Sequence, residues 1–386
     1  MRPLTCFIET VPLLTHPSGL ANYVVGLIQG LARVPDPVRC LTGLASWRSQ
    51  PHATLARRCQ DLGLDLGISR VPLPNRVATR LPRLADLLAR PSVPPVDVVH
   101  ATANSFSSWL PVKSGIRVLT IHDVVFLRHR DGTLCCPELA ARMSARLPGD
   151  CAAADLIVTD SEFSKAEICE LLRLPPAKVA VAHLASSLPE TTPGEAVPMA
   201  VEIAQALAAP FLLYVGSIDA RKNITGLLAA FRAMREGQPD ARLVMVGRPG
   251  WRGDDYAREI EGTAGVQWIP GCSTPDLIRL YQAARGFLLV SWYEGFGLPL
   301  LEAMSHGCPA CYAVGSSMDE VAGETCIGVR PDDHGAIVEA MRLFWQDDSC
   351  RRTYGLPGKA RSALFTWEQT ARQTLASYRA ALEVAE

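Results

Sequence analysis

The stretch Ser291-Trp-Tyr-Glu-Gly-Phe-Gly-Leu-Pro-Leu-Leu-Glu-Ala-Met304 decides the fold and most of the expected chemistry. It follows the apolar run 286–291, which is typical of a short strand buried in a parallel sheet. A glycine-flanked turn, Glu294–Gly297, then leads into a predicted helix with Pro299 near its start, where a missing N–H costs nothing. A strand, a glycine turn and a helix N-terminus together form an anion site, because free backbone N–H groups converge there.

Two glutamates of this stretch lie eight positions apart, Glu294 on the turn and Glu302 in the helix. Because side chains on a helix lean toward its N-terminus, Glu302 is expected to tilt back toward the anion site. Its apolar neighbours predict a buried helix, in which a carboxylate needs a partner. Two carboxylates beside an anion site suit a ligand that carries hydroxyls and a phosphate, such as a nucleotide sugar.

Apolar runs alternate with amphipathic stretches along the whole chain, which is typical of parallel sheets with helical crossovers. The predicted strands are Leu4–Thr10, Val38–Leu44, Ile68–Pro72, Val96–Ala101, Arg117–Ile121, Asp155–Thr159, Lys178–His183, Phe211–Gly216, Arg242–Gly247, Val266–Ile269, Gly286–Ser291 and Cys308–Tyr312. The predicted helices include Leu20–Val34, Ala53–Leu62, Pro137–Ala153, Glu162–Leu172, Gly335–Gln346, Cys350–Leu364 and Trp367–Val384.

At 386 residues the chain is too long for one ordinary core and is expected to form two domains. The proline-rich stretch 186–209 is the best linker candidate. We therefore predict an α/β protein with two doubly wound, Rossmann-like domains, 1–190 and 208–366, facing each other across a cleft. Ligands bind outside the carboxyl ends of the strands in such sheets, where Gly216 and Glu294 both fall.

Charge argues against nucleic acid as the main partner, because the net charge is −1 and no basic block stands out. Residues 1–100 carry 11 arginines and 6 acidic residues, a net charge of +5. A weakly basic N-terminal face is expected to rest on an anionic membrane surface. The alternative is that scattered arginines only reflect an Arg-rich composition, with 33 arginines and 5 lysines.

No apolar stretch is long enough for a transmembrane helix, and the N-terminus is interpreted as a first strand rather than a signal peptide. We expect a cytoplasmic protein, either free or peripheral on the cytoplasmic face of the inner membrane. The twelve cysteines are dispersed and are interpreted as small buried residues. Cys308 and Cys311 have redox-motif spacing but lie in a predicted strand, and no second pair completes a zinc site.

With these motifs the chain resembles family GT4, the retaining glycosyltransferases with an E-x7-E motif and the GT-B fold. The resemblance runs nearly end to end, and the last helix of this family crosses back to the N-terminal domain, which here corresponds to 367–386. It is carried by the segments Pro17–Asn22, Thr120–Val124, Ser161–Lys165, Tyr214–Asn223, Glu294–Glu302, Gly315–Gly323 and Phe365–Glu368.

The resemblance implies a donor site in the second domain. Arg221 and Lys222 would hold the diphosphate of the donor, as a forked donor and a point charge. Many relatives have an arginine directly after the strand glycine, where this chain has Ser217. Binding of the diphosphate would therefore depend more on Arg221 and Lys222. Glu302 would accept hydrogen bonds from the ribose hydroxyls.

Glu294 would hold the transferred sugar, and the backbone N–H groups of Phe296, Gly297 and Leu298 would bind its departing phosphate. In the first domain the resemblance implies that His122 lies near the primary hydroxyl of the sugar, with Asp123 orienting it or capping a turn. Gly19 would let a loop approach the donor phosphates, although relatives often have two adjacent glycines there.

The resemblance implies a hexosyltransferase of the mannosyltransferase type, acting in surface polysaccharide or lipopolysaccharide assembly. The expected donor is GDP-mannose, with GDP-rhamnose or a UDP-hexose as alternatives, and the expected acceptor is a glycan or lipid-linked oligosaccharide. We predict no divalent metal, because no Asp-x-Asp pair occurs that would hold a metal-bound diphosphate, and we expect no cofactor. Two other classes stay open, a nicotinamide-dependent sugar enzyme, which lacks its full G-x-G-x-x-G, and a non-catalytic GT-B scaffold.

Overall fold

The computed structural model describes residues 3–14, 19–36, 38–112, 114–190 and 198–385. The chain divides into two compact units. The first unit comprises 1–124, 142–185 and 366–386, and the second comprises 125–141 and 186–365. The predicted boundaries did not separate residues 125–141 from the first domain.

The first unit is built on a seven-stranded, entirely parallel sheet with the order β3-β2-β1-β4-β5-β6-β7. All seven strands predicted for the first half of the chain are present, because strands buried on both faces appear in the sequence as apolar runs. The strands are β1 (Leu4–Ile8), β2 (Val38–Ala45), β3 (Gly67–Val71), β4 (Val96–Ala101), β5 (Ser114–Thr120), β6 (Leu156–Thr159) and β7 (Val179–Val181).

The second unit is built on a six-stranded parallel sheet with the order β10-β9-β8-β11-β12-β13. Each sheet runs outward in both directions from one central pair, which is the doubly wound arrangement predicted from the sequence. The strands are β8 (Leu212–Val215), β9 (Leu243–Val246), β10 (Val266–Ile269), β11 (Gly286–Leu289), β12 (Ala310–Ala313) and β13 (Ile327–Val329).

Helices connect the strands of both units. They are α1 (Gly19–Arg33), α2 (Gln50–Asp61), α3 (Asn75–Arg80), α4 (Pro82–Leu88), α5 (Val125–Arg128), α6 (Pro137–Ala153), α7 (Glu162–Leu172), α8 (Val201–Leu207), α9 (Ile224–Gly237), α10 (Gly253–Glu261), α11 (Thr274–Ala283), α12 (Leu298–Ser305), α13 (Met318–Ala322), α14 (His334–Gln346), α15 (Leu356–Ser362) and α16 (Trp367–Ala385). Among the described residues, none of these helices combines the length and the apolar composition that a membrane span needs.

The C-terminal helix α16 belongs to the first unit, as the resemblance implied, and packs against α1. Two glycines of α1 make this contact close. A Cβ atom at Gly26 would lie 2.1 Å from the indole of Trp367, and one at Gly30 would lie 2.1 Å from the Trp367 carbonyl oxygen. Helix α16 also reaches the sheet, since the hydroxyl of Tyr378 lies 2.6 Å from Nδ1 of His100.

Three local details differ from what the sequence predicts. The predicted linker 186–209 contains α8, in which Ile203 and Ala206 are buried, because a seven-residue helix between prolines has too few turns to show a period. Strand β13 was missed, since three residues with a central glycine show no alternation. The predicted helix 350–364 is confirmed over 350–362, where it includes a π-helical turn, Arg351–Gly355, that continues into α15.

Candidate active site

Two loops follow the central strands β8 and β11 of the second unit. The segment 216–223 follows β8, and the segment 290–297 follows β11. These strands are neighbours in a parallel sheet, so both loops leave the same edge at the point where the strand order reverses. Ligands of doubly wound sheets bind at that point.

A buried ion pair joins the two loops. Nζ of Lys222 lies 2.5 Å from Oε1 of Glu294, and the hydroxyl of Ser291 donates to the same oxygen at 2.7 Å. Nη1 of Arg221 lies 3.5 Å from the other carboxylate oxygen. Lys222 is 5% exposed and Glu294 is 4% exposed. The two motifs that the sequence separates by 72 positions therefore form one charged cluster.

Burial and charge act in opposite directions on Glu294. Burial alone raises the pKa of its carboxyl, but the neighbouring Lys222 and Arg221 outweigh burial and leave that pKa below its usual value. Burial lowers the pKa of Lys222, and Glu294 opposes that change. Glu294 is therefore a carboxylate at neutral pH, able to accept hydrogen bonds from sugar hydroxyls.

Asn223 holds the two loops of this cluster together, a role that the sequence analysis did not predict. It adopts the left-handed conformation with φ of 55°, which asparagine tolerates better than most residues. Its side-chain amide donates to the carbonyl oxygens of Val290 at 3.1 Å and Pro331 at 2.7 Å. The N–H of Trp292 also donates to the carbonyl oxygen of Arg221 at 2.8 Å. Backbone contacts as well as charge thus set the separation of the two loops.

Ser217 uses its hydroxyl within the loop, where it donates to Oδ2 of Asp219 at 2.5 Å. Nε of Arg221 lies 3.9 Å from Oδ1 of the same aspartate. Asp219 thus orients both a predicted donor-binding hydroxyl and a predicted phosphate ligand, a role that its position in a turn did not reveal.

The turn before α12 has the geometry expected of an anion site. Gly297 has φ of 95°, and a Cβ atom there would lie 2.7 Å from Cγ of Met318, so only glycine fits. Phe296 is buried and packs edge-on against Phe365. Leu298 is the first helical residue, where backbone N–H groups have no acceptor within the helix.

Glu302 lies on α12 and has a neutral partner. The hydroxyl of Tyr281 donates to its Oε2 at 3.0 Å, and burial raises the pKa of Glu302 to about 7, although that hydrogen bond lowers it. The ring of His306 stacks on Tyr281 at 5.9 Å. Glu302 is thus close to half ionised at neutral pH, so ligand hydroxyls that donate to it would favour the carboxylate.

The Glu302→Gln variant is expected to become more stable relative to the wild type as pH rises. The folded pKa lies above the unfolded one, so the stability that Glu302 contributes is present below about pH 4.5 and is lost as pH rises through about 7. The change between pH 5 and pH 8 is expected to reach up to about 3 kcal/mol, reduced by partial exposure. Urea unfolding at both pH values measures this change.

The control is Glu324→Gln, which replaces an exposed glutamate of the same unit. Parallel pH curves for Glu302→Gln and the wild type would contradict the prediction.

His122, in the first unit, has an acceptor at each ring nitrogen. Nδ1 lies 2.7 Å from Oδ2 of Asp160, and Nε2 lies 3.0 Å from the carbonyl oxygen of Thr102. An acceptor at each nitrogen favours a hydrogen on both, that is, an imidazolium paired with the buried carboxylate of Asp160. Burial lowers the pKa of His122, but Asp160 outweighs burial and raises it.

This geometry differs from the expectation for His122 in two ways. The residue that orients the ring is Asp160, which follows β6, and not Asp123. Both ring nitrogens are already occupied inside the first unit, so a contact to a sugar hydroxyl would need one of these partners to be exchanged.

Gly19 is the exposed first residue of α1. Its neighbours Pro17 and Ser18 in the same motif lie outside the described residues. Gly19 and His122 belong to the first unit, whereas Ser217, Arg221, Lys222, Glu294, Phe296, Gly297, Leu298 and Glu302 all belong to the second.

Comparison with known proteins identifies the family. The glycosyl transferases group 1 family matches residues 202–360, and glycosyltransferase family 4 matches residues 17–185. The chain is 33% identical over 283 residues to the O-antigen chain mannosyltransferase B of Escherichia coli, which covers 70% of this chain and 72% of that protein. It is 26% identical over 341 residues to a D-inositol 3-phosphate glycosyltransferase of Kribbella flavida, covering 82% of this chain and 79% of that protein.

Solved structures agree on the fold. Sucrose-phosphate synthase from Thermosynechococcus elongatus aligns with a TM-score of 0.69 at 21% identity, over 99% of this chain and 100% of that one. Anabaena HepE in complex with UDP and glucose aligns with a TM-score of 0.70 at 15% identity, over 98% of this chain and 100% of that one. Two parallel-sheet, Rossmann-like units, the motifs at the strand ends and the relatives lead to one conclusion: the chain is a hexosyltransferase that belongs to glycosyltransferase family 4.

Proposed function

We propose that this glycosyltransferase moves mannose from GDP-mannose to a hydroxyl of a growing, lipid-linked surface glycan, with retention at the anomeric carbon. The buried cluster of Lys222, Arg221 and Glu294 beside the start of α12 supports a diphosphate-linked sugar as donor. The similarity to an O-antigen chain mannosyltransferase supports mannose as that sugar.

Departure of the nucleoside diphosphate builds negative charge on its β-phosphate. In this proposal, Arg221, Lys222 and the N–H groups at the start of α12 stabilise that charge as it develops. Glu294 accepts hydrogen bonds from the sugar, and Glu302 accepts them from the ribose hydroxyls. Turnover needs no divalent metal and no cofactor, so activity that is lost with a chelator and restored by magnesium would contradict this part.

The attacking hydroxyl is proposed to approach from the face of the leaving group and to pass its proton to the departing phosphate oxygen, as the family resemblance implies. A double displacement through a protein carboxylate is the alternative. Mass spectrometry of the enzyme trapped during turnover distinguishes the two routes, since a glycosyl adduct on Glu294 or Asp123 would contradict the front-side route.

Thermal-shift measurements with GDP, UDP, dTDP and ADP test the donor. Because a ligand that binds only the native state stabilises it, GDP at about 100 times its Kd is expected to contribute about 2.7 kcal/mol. For a unit of this size that raises Tm by about 5–10 °C. A larger shift with UDP would replace the proposal with a UDP-hexose donor, and no shift with any nucleotide would favour the non-catalytic scaffold. NMR of the product formed from GDP-mannose measures its anomeric configuration and so tests retention. Turnover of GDP-rhamnose in place of GDP-mannose would identify the alternative donor.

A lipid-linked acceptor places the enzyme at the cytoplasmic face of a membrane. We propose a peripheral contact there, which the net charge of +5 in residues 1–100 supports.

A further inference from the structure

One surface of the first unit combines exposed leucines with exposed arginines. It is formed by α3 and α4, and we name it the Arg–Leu face. Leu81 is 52% exposed, Leu84 is 41% exposed and Leu87 is 80% exposed, so three large apolar side chains point into solvent within seven residues. The face consists of Arg76, Arg80, Leu81, Arg83, Leu84 and Leu87.

The opposite side of the same two helices is anchored to the unit. Ala78 and Ala85 are fully buried, and the side chain of Asn75 accepts from the N–H of Trp109 at 2.9 Å. Asp86 accepts from Nε1 of Trp109 at 3.1 Å and from the N–H of Val112 at 2.9 Å. The helices are therefore held in a fixed orientation that keeps Leu81, Leu84 and Leu87 out of the core.

Charge on this segment is almost entirely of one sign. Asp86 is the only acidic residue between 73 and 90, and it faces inward. Arg76, Arg80 and Arg83 are exposed, and in the described part of the chain none of the three forms an ion pair. The outward side thus presents apolar side chains among unneutralised positive charges, which is the composition of a helix that lies in a membrane interface.

An exposed tryptophan lies at the same edge of the sheet. Trp47 follows β2 and is 63% exposed, with the guanidinium of Arg48 5.3 Å from its ring centre. Strands β2 and β3 pair in register through Ala45 and Val71, and the N–H of Ser46 donates to the carbonyl oxygen of Val71 at 3.0 Å. The loop with Trp47 and the segment leading to α3 therefore leave the sheet side by side. Tryptophan is enriched where proteins meet the headgroup region of a bilayer.

We infer that the Arg–Leu face is the surface by which the first unit lies on an anionic lipid bilayer. The leucines enter the boundary of the acyl chains, and the arginines contact the anionic headgroups. Charge complementarity selects this occupant, because a protein partner would need an acidic rim around an apolar patch, whereas an anionic bilayer supplies both features everywhere. This inference rests on the proposed peripheral membrane contact and names the residues that make it. Its test measures membrane binding without turnover, so the result does not depend on whether the proposed sugar donor is correct.

Flotation of the full chain with vesicles tests the inference. The wild type is expected to bind vesicles of phosphatidylcholine with 30% phosphatidylglycerol, and to bind pure phosphatidylcholine at least about tenfold more weakly. Arg76→Gln/Arg80→Gln/Arg83→Gln is expected to lower the partition coefficient for the anionic vesicles about 100-fold, roughly fivefold for each arginine. Leu81→Ser/Leu84→Ser/Leu87→Ser is expected to abolish flotation at both compositions.

The matched control is Leu356→Ser/Leu364→Ser, which removes two leucines of the second unit that are 58% and 68% exposed. The control is expected to float like the wild type, and circular dichroism checks that each variant is folded. Equal binding of the wild type to neutral and anionic vesicles, or unchanged binding of either triple variant, would overturn the inference. So would a wild type that binds no vesicles and instead forms dimers that the leucine variant loses.

Discussion

Lys222→Met is expected to lower the free energy of unfolding of the second unit by about 3–5 kcal/mol, the usual cost of leaving a buried charge without its partner. The substitution nearly preserves the volume of the side chain, so the loss comes from the carboxylate of Glu294, which is 4% exposed. The weaker contact from Arg221 at 3.5 Å places the expected value near the lower end of that range. Urea unfolding followed by fluorescence measures the change.

The pH dependence of the lost stability distinguishes an unpaired buried charge from a packing defect. Without Lys222, burial raises the pKa of Glu294, and only Arg221 and the hydroxyl of Ser291 oppose that change. The folded state then binds a proton more tightly than the unfolded state, so stability is regained as pH falls and is lost as pH rises. The loss caused by Lys222→Met is therefore expected to shrink at pH 5 compared with pH 8.

Two further variants complete this comparison. Lys222→Met/Glu294→Gln removes both charges and is expected to recover most of the lost stability. Lys359→Met, which replaces an exposed lysine of the same unit, is expected to change stability by less than about 0.5 kcal/mol. A double variant as unstable as Lys222→Met alone would show that the stem of the lysine, and not the ion pair, is responsible.

Glu294→Gln is expected to lower kcat by a factor of about 100 to 1,000 if Glu294 holds the transferred sugar, the usual cost of removing one preorganised charge or hydrogen bond. The amide keeps the shape of the side chain but loses the negative charge and one acceptor oxygen. Initial rates with saturating donor measure kcat, and a nucleotide titration measures whether the diphosphate still binds.

Ser291→Ala is the matched comparison. It removes the hydroxyl that donates to Oε1 of Glu294 at 2.7 Å and leaves the charge in place, so a loss of about tenfold or less is expected. Nucleotide binding by Glu294→Gln is expected to stay within tenfold of the wild type. A kcat within tenfold of the wild type for Glu294→Gln would remove this residue from the chemistry and leave it a structural partner of Lys222.

Much of the fold could be predicted because its strands are buried on both faces. A strand such as β8 or β11 appears as a continuous apolar run, and a glycine turn marks its carboxyl end. The segments that were missed lack such a signal. Strand β13 has three residues, and α8 has fewer than two full turns that bury two side chains.

The candidate site was predicted as residues but not as contacts. The spacing of Glu294 and Glu302 shows that both lie near one helix start, yet it does not show that one pairs with lysine and the other with tyrosine. Those partners come from other strands and helices, at sequence separations of 72 and 21. The same is true of Asp160, which lies 38 positions from His122 and becomes its neighbour only because β5 and β6 are adjacent.

The packing of α16 on α1 has a consequence for how this polypeptide is made. In the first unit Trp367 packs against Gly26 and Tyr378 against His100, yet Trp367 and Tyr378 are synthesised only after the second unit. About 180 residues of the second unit, 186–365, are synthesised in between, which takes about 10–40 s at usual elongation rates. During that interval α1 lacks the helix that covers it, so the first unit completes its core only after the whole second unit has been translated.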